Sequence, residues 1–131
     1  MRLRIMHELG IANSILEAVQ SEMTRRPESR ATRVGVRIGE LAAVDAESLR
    51  FCFDAMKRET DLESLELEIE ICPRRHRCGS CGHEFRVRDY DFECPRCHGF
   101  SSECLSGDEL ELKYVEVEEN EPSTAGTQSS Q

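Results

Sequence analysis

Residues 65–118 decide the fold. They read LELEIEICP (65–73), then RRHRCGSCGHEFRVRDYDFECPRCHGFSSECL (74–105), then SGDELELKYVEVE (106–118). The first segment alternates Leu65, Leu67, Ile69 and Ile71 with Glu66, Glu68 and Glu70, the period of a strand with one buried and one acidic wet face. The last resumes that alternation, with Leu110, Leu112 and Tyr114 sharing one face. Val115 and Val117 fall in the opposite phase, which predicts a bulge or strand end near Tyr114. Between the two runs, long apolar residues thin out and Cys, Gly, His and Arg dominate. A segment of that length is below the roughly 40 residues at which burial alone sustains a fold. Residues 74–105 are therefore expected to be an inserted module, and 1–73 with 106–118 a discontinuous parent domain. Residues 119–131 lack apolar periodicity and read as a disordered tail.

Upstream, residues 8–26 carry Leu9, Ala12, Leu16, Val19 and Met23 at helical spacing, widened by Ile15. Arg25 and Arg26 suit the negative end of the helix dipole, and Pro27 stops the helix. Thr32, Val34, Val36 and Ile38 then alternate with Arg33, Gly35, Arg37 and Gly39 as a strand. Asp45 is placed to N-cap a second helix, roughly 46–59, with Leu49, Cys52, Phe53 and Met56 on its apolar face. The fold class expected is α+β: a small mixed sheet of about three strands with two helices, plus an inserted zinc-ribbon-like module.

The chain has 131 residues and a formal net charge of −9, from 17 Lys+Arg against 26 Asp+Glu. Such a chain repels a phosphate backbone. Residues 74–105 hold six Arg against five acids, a local excess of only +1, so a nucleic-acid role is not expected even for the cysteine-rich module. No apolar run approaches the roughly 20 residues of a membrane span, and Met1-Arg2-Leu3-Arg4-Ile5 does not develop into a signal peptide. The protein is expected in the cytoplasm, where its seven cysteines serve as ligands or buried thiols rather than disulfides.

Cys78-Gly-Ser-Cys81 and Cys94-Pro-Arg-Cys97 form two CxxC pairs separated by 12 residues. Two such turns facing each other present four sulfurs in a tetrahedron, the geometry of a closed Zn²⁺ site. A rubredoxin-type iron site stays open on spacing alone; a redox CxxC usually occurs singly. Four thiolates leave no position for water, so the zinc is structural and the protein is not expected to be an enzyme. His76, His83 and His98 flank the cluster as outer-shell or surface residues, with His98 the best placed to replace a thiolate. Cys52 reads as a buried thiol, and Cys72 and Cys104 as incidental thiols at the two hinges.

One segment remains. Met6-His7-Glu8-Leu9 with Ile11-Ala12 and Ser14-Ile15-Leu16, then Ile38-Gly39-Glu40-Leu41, then the paired CxxC motifs, resembles the HypA/HybF family of hydrogenase nickel-incorporation proteins over residues 6–118. The resemblance implies a nickel metallochaperone with structural Zn(II) and Ni(II) as transferred cargo. It implies delivery, with a HypB-type GTPase, to the large subunit of nickel–iron hydrogenase, with urease a second recipient in some organisms. A homodimer is kept open beside these partners, the oligomeric state not being legible in the sequence. It transfers the central nickel ligand to His7, a supporting carboxylate to Glu8 and a second carboxylate to Asp45, for which the helix N-cap is the competing role. Imidazole and amide nitrogens suit Ni²⁺ in a square-planar or tetragonal set. Where Met-His-Glu begins a chain, the free amine, the next backbone nitrogen and the imidazole close adjacent chelate rings. Here five residues precede Met6. Either Met6 is the true start, or His7 and Glu8 bind with other donors. The rival reading is a zinc-ribbon adaptor without nickel transfer.

Overall fold

The computed structural model describes residues 7–120; the start at Met6 and the tail from 121 lie outside them. Helix α1 (Glu8–Thr24) is followed by strand β1 (Ser29–Gly39), a 3₁₀ turn (Glu40–Ala42), helix α2 (Ala46–Lys57) and strand β2 (Glu66–Cys72). Three short strands follow, β3 (Arg75–Cys78), β4 (Glu84–Arg86) and β5 (Ser102–Ser106), before β6 (Leu110–Glu119). Glu119 pairs with Ser29, so the last strand reaches into the stretch read as tail.

The strands form two sheets. The order β2-β1-β6 joins a parallel pair to an antiparallel one, and β4-β3-β5 is antiparallel throughout. The parallel β1–β2 pair requires a crossover, which α2 supplies. Two of its basic side chains tie α2 to β2 and the residue before it: Arg50 Nη1 donates to the Leu67 carbonyl at 2.7 Å and Lys57 Nζ to that of Leu65 at 2.6 Å.

The apolar face of the larger sheet carries Val34, Val36 and Ile38 of β1, Leu67 of β2 and Leu110 of β6, packed against Ile11, Ile15 and Val19 of α1 and Leu49 and Phe53 of α2. The buried stripe of α1 is thus rotated from the one expected. Ile11, Ala12, Ile15 and Val19 are fully buried, whereas Leu9 is 59% exposed and Leu16 and Met23 are half-buried. Ile11, Ile15 and Val19 succeed one another at i, i+4, and these β-branched side chains fill the row that meets the sheet. The helix also ends at Thr24; Arg25 and Arg26 turn back to bond the Glu22 carboxylate. Phe53 fills the centre of this core without exposed surface. Phe53→Ala is expected to destabilise the protein by about 3–5 kcal/mol, the usual range for deleting a buried ring, read as a shift of the denaturant midpoint.

The opposite face of the sheet is a ladder of charge. Arg33 sits between Glu66 and Glu116, and Arg37 between Glu70 and Glu111. These exposed pairs pin the register more than they stabilise it. The expected bulge is present: Gly35 pairs with Tyr114 but Val36 with Leu112, so Lys113 is the extra residue. As a result Leu112 and Val115 face the core, and Tyr114 lies on the charged face rather than beside Leu112. Its ring crosses Gly35, where a methyl group would lie 2.2 Å from the ring, and its hydroxyl donates to Glu68 on β2.

The connection to the smaller sheet is close-packed. Gly39 N donates to the Glu109 carbonyl and Leu41 N to that of Gly107, each at 2.7 Å. A Cβ on Gly39 would stand 2.0 Å from the Gly107 carbonyl oxygen, which is backbone and cannot swing away. Gly39→Ala is therefore expected to cost about 3 kcal/mol or more, the upper end of overpacking, and calorimetric melting would show it.

Candidate metal centres

Two similar turns lie beside the smaller sheet, one between β3 and β4 and the other in the loop from β4 to β5. In the first, Gly82 N donates to the Cys78 carbonyl at 3.0 Å; in the second, His98 N donates to the Cys94 carbonyl at 2.8 Å. The closing residue is left-handed in both, Gly82 at φ 77° and His98 at φ 65°. Glycine meets this requirement without cost, and histidine is among the residues tolerated there. The turns aim backbone amides at sulfur: Ser80 N lies 3.4 Å from Cys78 Sγ, and Arg96 N and Cys97 N lie 3.4 and 3.5 Å from Cys94 Sγ.

The four sulfurs of Cys78, Cys81, Cys94 and Cys97 lie within 4.8 Å of one another. Cys78 and Cys97 are 3.4 Å apart, and Cys81 and Cys94 3.7 Å. Zinc–sulfur bonds of about 2.3 Å in a tetrahedron require sulfur separations of about 3.8 Å. The donor set therefore fits Zn²⁺ in number, type and spacing. Amide hydrogen bonds from Cys81 and Ser80 bring the Cys78 thiol down to about 6, a poised thiolate. At Cys97 the Gly99 amide acts in the same direction, but the neighbouring sulfurs and burial outweigh it and push the thiol up to about 12. Four sulfurs this close cannot all ionise without a cation among them.

Among the described residues, no histidine nitrogen joins the four sulfurs. His76 is buried; its Nδ1 lies 2.8 Å from Ser102 Oγ, and its Nε2 accepts from Arg74 Nε at 3.1 Å. Its ring tilts against Phe85 and Phe92, and burial, with Arg74 beside it, holds its pKa below the ordinary value. The apolar support of the cluster is Phe85 and Val87 with Phe92 packed against them. His98 lies 2.6 Å from the Glu93 carboxylate at the surface. The carbonyl of half-buried His83 accepts from Cys78 N at 2.9 Å.

The second group lies at the start of α1. His7 is the exposed N-cap residue and makes no side-chain capping bond. Glu8 Oε2 accepts the backbone N–H of Asp45 at 2.9 Å, so residues 37 apart in sequence meet. That bond, with the Glu8 amide, keeps the Glu8 carboxyl below its ordinary range, and the His7 ring adds to the effect. The Asp45 carboxylate is engaged as the N-cap of α2, accepting from Glu47 N at 3.0 Å and Ser48 N at 3.2 Å. The structure thus joins Glu8 to the Asp45 backbone beside His7, but does not converge the three side chains as it converges the sulfurs.

The family model described as hydrogenase/urease nickel incorporation, metallochaperone, hypA matches residues 6–117. The chain belongs to the HypA family. Similar proteins include the hydrogenase maturation factor HypA of Geobacter metallireducens, 41% identical over 113 residues that cover 86% of this chain and all of that protein. The HypA of Crocosphaera subtropica is 40% identical over 114 residues, covering 87% and 97% of the two chains. Among solved structures, the Ni metallochaperone HypA from Helicobacter pylori superposes with a TM-score of 0.57 and 25% identity, covering 85% of this chain and 97% of that one. The HypA match takes in both groups, His7-Glu8 and the four cysteines.

The sulfurs, expected from spacing, are brought together by the fold; His7, expected from resemblance, stands exposed at the start of α1. The contacts of Glu40 were not expected: its carboxylate accepts from Arg74 N at 2.7 Å and from Arg86 Nη2 at 2.8 Å. No periodicity signals a contact between residues 46 apart; the only sign was Glu40 standing within the Ile38–Leu41 segment that carried the resemblance.

Proposed function

We propose that this chain is a nickel metallochaperone that carries Ni²⁺ at His7, with Glu8 as a supporting donor, and delivers it during hydrogenase maturation. The zinc of Cys78, Cys81, Cys94 and Cys97 is structural, and residues 74–105 are a module that the zinc folds. The parent domain, 1–73 with 106–118, carries the nickel end. The observation that supports this most directly is Glu8 held ionised on the Asp45 N–H beside an exposed imidazole, inside the span matched by the nickel-incorporation family. An ionised carboxylate next to imidazole attracts a divalent cation. The site is exposed and short of donors, so the cation leaves readily, as a carrier requires. Asp45 contributes through its backbone, while its carboxylate caps α2.

The recipient is the large subunit of nickel–iron hydrogenase, reached together with a HypB-type GTPase in the cytoplasm; the chain catalyses no reaction of its own. Transfer tests the reading. Nickel-loaded protein is mixed with the metal-free large subunit and the GTPase, in the presence of a chelator that strips free nickel. Nickel is expected to appear in the large subunit faster than from nickel chloride alone. Equal rates would leave the chain as a zinc-ribbon adaptor.

A further inference from the structure

We propose that Glu40 is a positioning residue that couples the zinc module to the nickel end of the molecule. The inference rests on the nickel reading above. Its starting point is the use of the Glu40 carboxylate, both oxygens of which are directed at the cysteine-bearing module. Oε1 takes the N–H of Arg74, where the chain enters the module, and Oε2 takes the guanidinium of Arg86 on β4. A carboxylate that receives one backbone and one charge-assisted hydrogen bond fixes a direction as well as a distance. The Arg74 amide and Arg86 hold the Glu40 carboxyl well below its ordinary range, so the tie is ionised at neutral pH.

The other side of Glu40 leads to the nickel end within five residues. Glu40–Ala42 is a 3₁₀ turn, Ala43 is left-handed at φ 55°, and Asp45 then donates its N–H to Glu8. The flanking backbone is held against the module's exit: Leu41 N bonds the Gly107 carbonyl, and Gly107 packs on Arg74, where a Cβ would lie 2.7 Å away. The two crossings of the hinge are themselves joined, Ser106 Oγ donating to the Pro73 carbonyl at 2.9 Å. Any displacement of the zinc module relative to the larger sheet would be felt first at Glu40, through its bonds to Arg74 and Arg86. The tight 40–45 segment passes the displacement to the Asp45 N–H, and so to the Glu8 carboxylate beside His7.

The test compares Glu40→Ala, Glu40→Gln and Arg86→Ala with the zinc-loaded parent and with His7→Ala. Zinc content, the Asp45 amide resonance and the Ni²⁺ dissociation constant by calorimetry are read together. Glu40→Ala is expected to keep its zinc, shift the Asp45 amide and bind nickel about tenfold more weakly, within the range seen when an outer-shell partner is lost. Glu40→Gln keeps an acceptor for Arg74 N–H and should recover most of that loss. Arg86→Ala breaks the same tie from the other side, and should weaken nickel binding even where Glu40→Ala does not fold. A purely structural role would lower the melting temperature and leave nickel affinity and the Asp45 amide in place. Unchanged affinity in folded Glu40→Ala or Arg86→Ala, with His7→Ala unable to bind, overturns the coupling alone. Unchanged nickel uptake in His7→Ala overturns the nickel reading and the coupling with it.

Discussion

Cys81→Ala is expected to strip zinc from the protein and unfold residues 74–105 while the parent sheet and helices persist. The module's own apolar cluster is small: Phe85, Val87 and the buried Cys78 and Cys94, with Phe92 half-buried against them. That cannot offset the chain entropy of ordering a segment of this size, on the order of 1–2 kcal/mol per residue for backbone alone. Metal ligation supplies the difference, on the order of 10–16 kcal/mol for structural zinc in small peptides. Removing Cys81 leaves Cys94 Sγ without the partner now 3.7 Å away and reduces the donor set to three. The parent core, from Ile11 to Leu110, forms a separate cluster and loses none of its contacts. Metal analysis should show less than stoichiometric zinc. Amide exchange should show protection lost over 74–105 and kept in α1, α2, β1 and β2. A zinc-free variant whose module retains native amide shifts would contradict this.

The second large effect is at the other end of the molecule. His7→Ala should abolish nickel binding, weakening it by more than the roughly 100-fold that loss of an outer-shell partner reaches, with zinc content and melting temperature unchanged. His7 caps α1 without a side-chain hydrogen bond, so truncating it removes no capping interaction. It is exposed, so no core contact goes with it. Glu8→Gln should weaken binding less, because it removes the anionic charge but preserves an acceptor for the Asp45 N–H. Calorimetry on the three proteins checks the order: parent, then Glu8→Gln, then His7→Ala.

These two ends were legible in the sequence to different degrees, for physical reasons. The sulfur site was legible because a Cys-x-x-Cys turn is local: the spacing alone fixes two donors, and two turns fix four. The α+β architecture was legible because strands that bury one face must alternate, as 34–38 and 65–69 do; Ile71, near the end of β2, is left 50% exposed. Position along the helix stripe was less so. Leu9 and Ile11 are both apolar, and only the sheet decides which of them is covered; Leu9 is left 59% exposed. Tyr114 could not be placed on its correct face without knowing that Lys113 is the bulged residue. The contacts of Glu8 and Glu40 are long-range: Glu8 takes the Asp45 backbone N–H, and Glu40 takes the Arg74 backbone N–H and the Arg86 guanidinium. Nothing in composition or period distinguishes them from the solvated charges elsewhere in the chain.

The most direct test of the central claim is equilibrium dialysis of the zinc-loaded protein against Ni²⁺, followed by elemental analysis of both metals. The account predicts that nickel is retained stoichiometrically while zinc stays bound, because cargo and structural metal occupy different ends of the molecule. Retention of no nickel, or a gain of nickel matched by an equal loss of zinc, would contradict it.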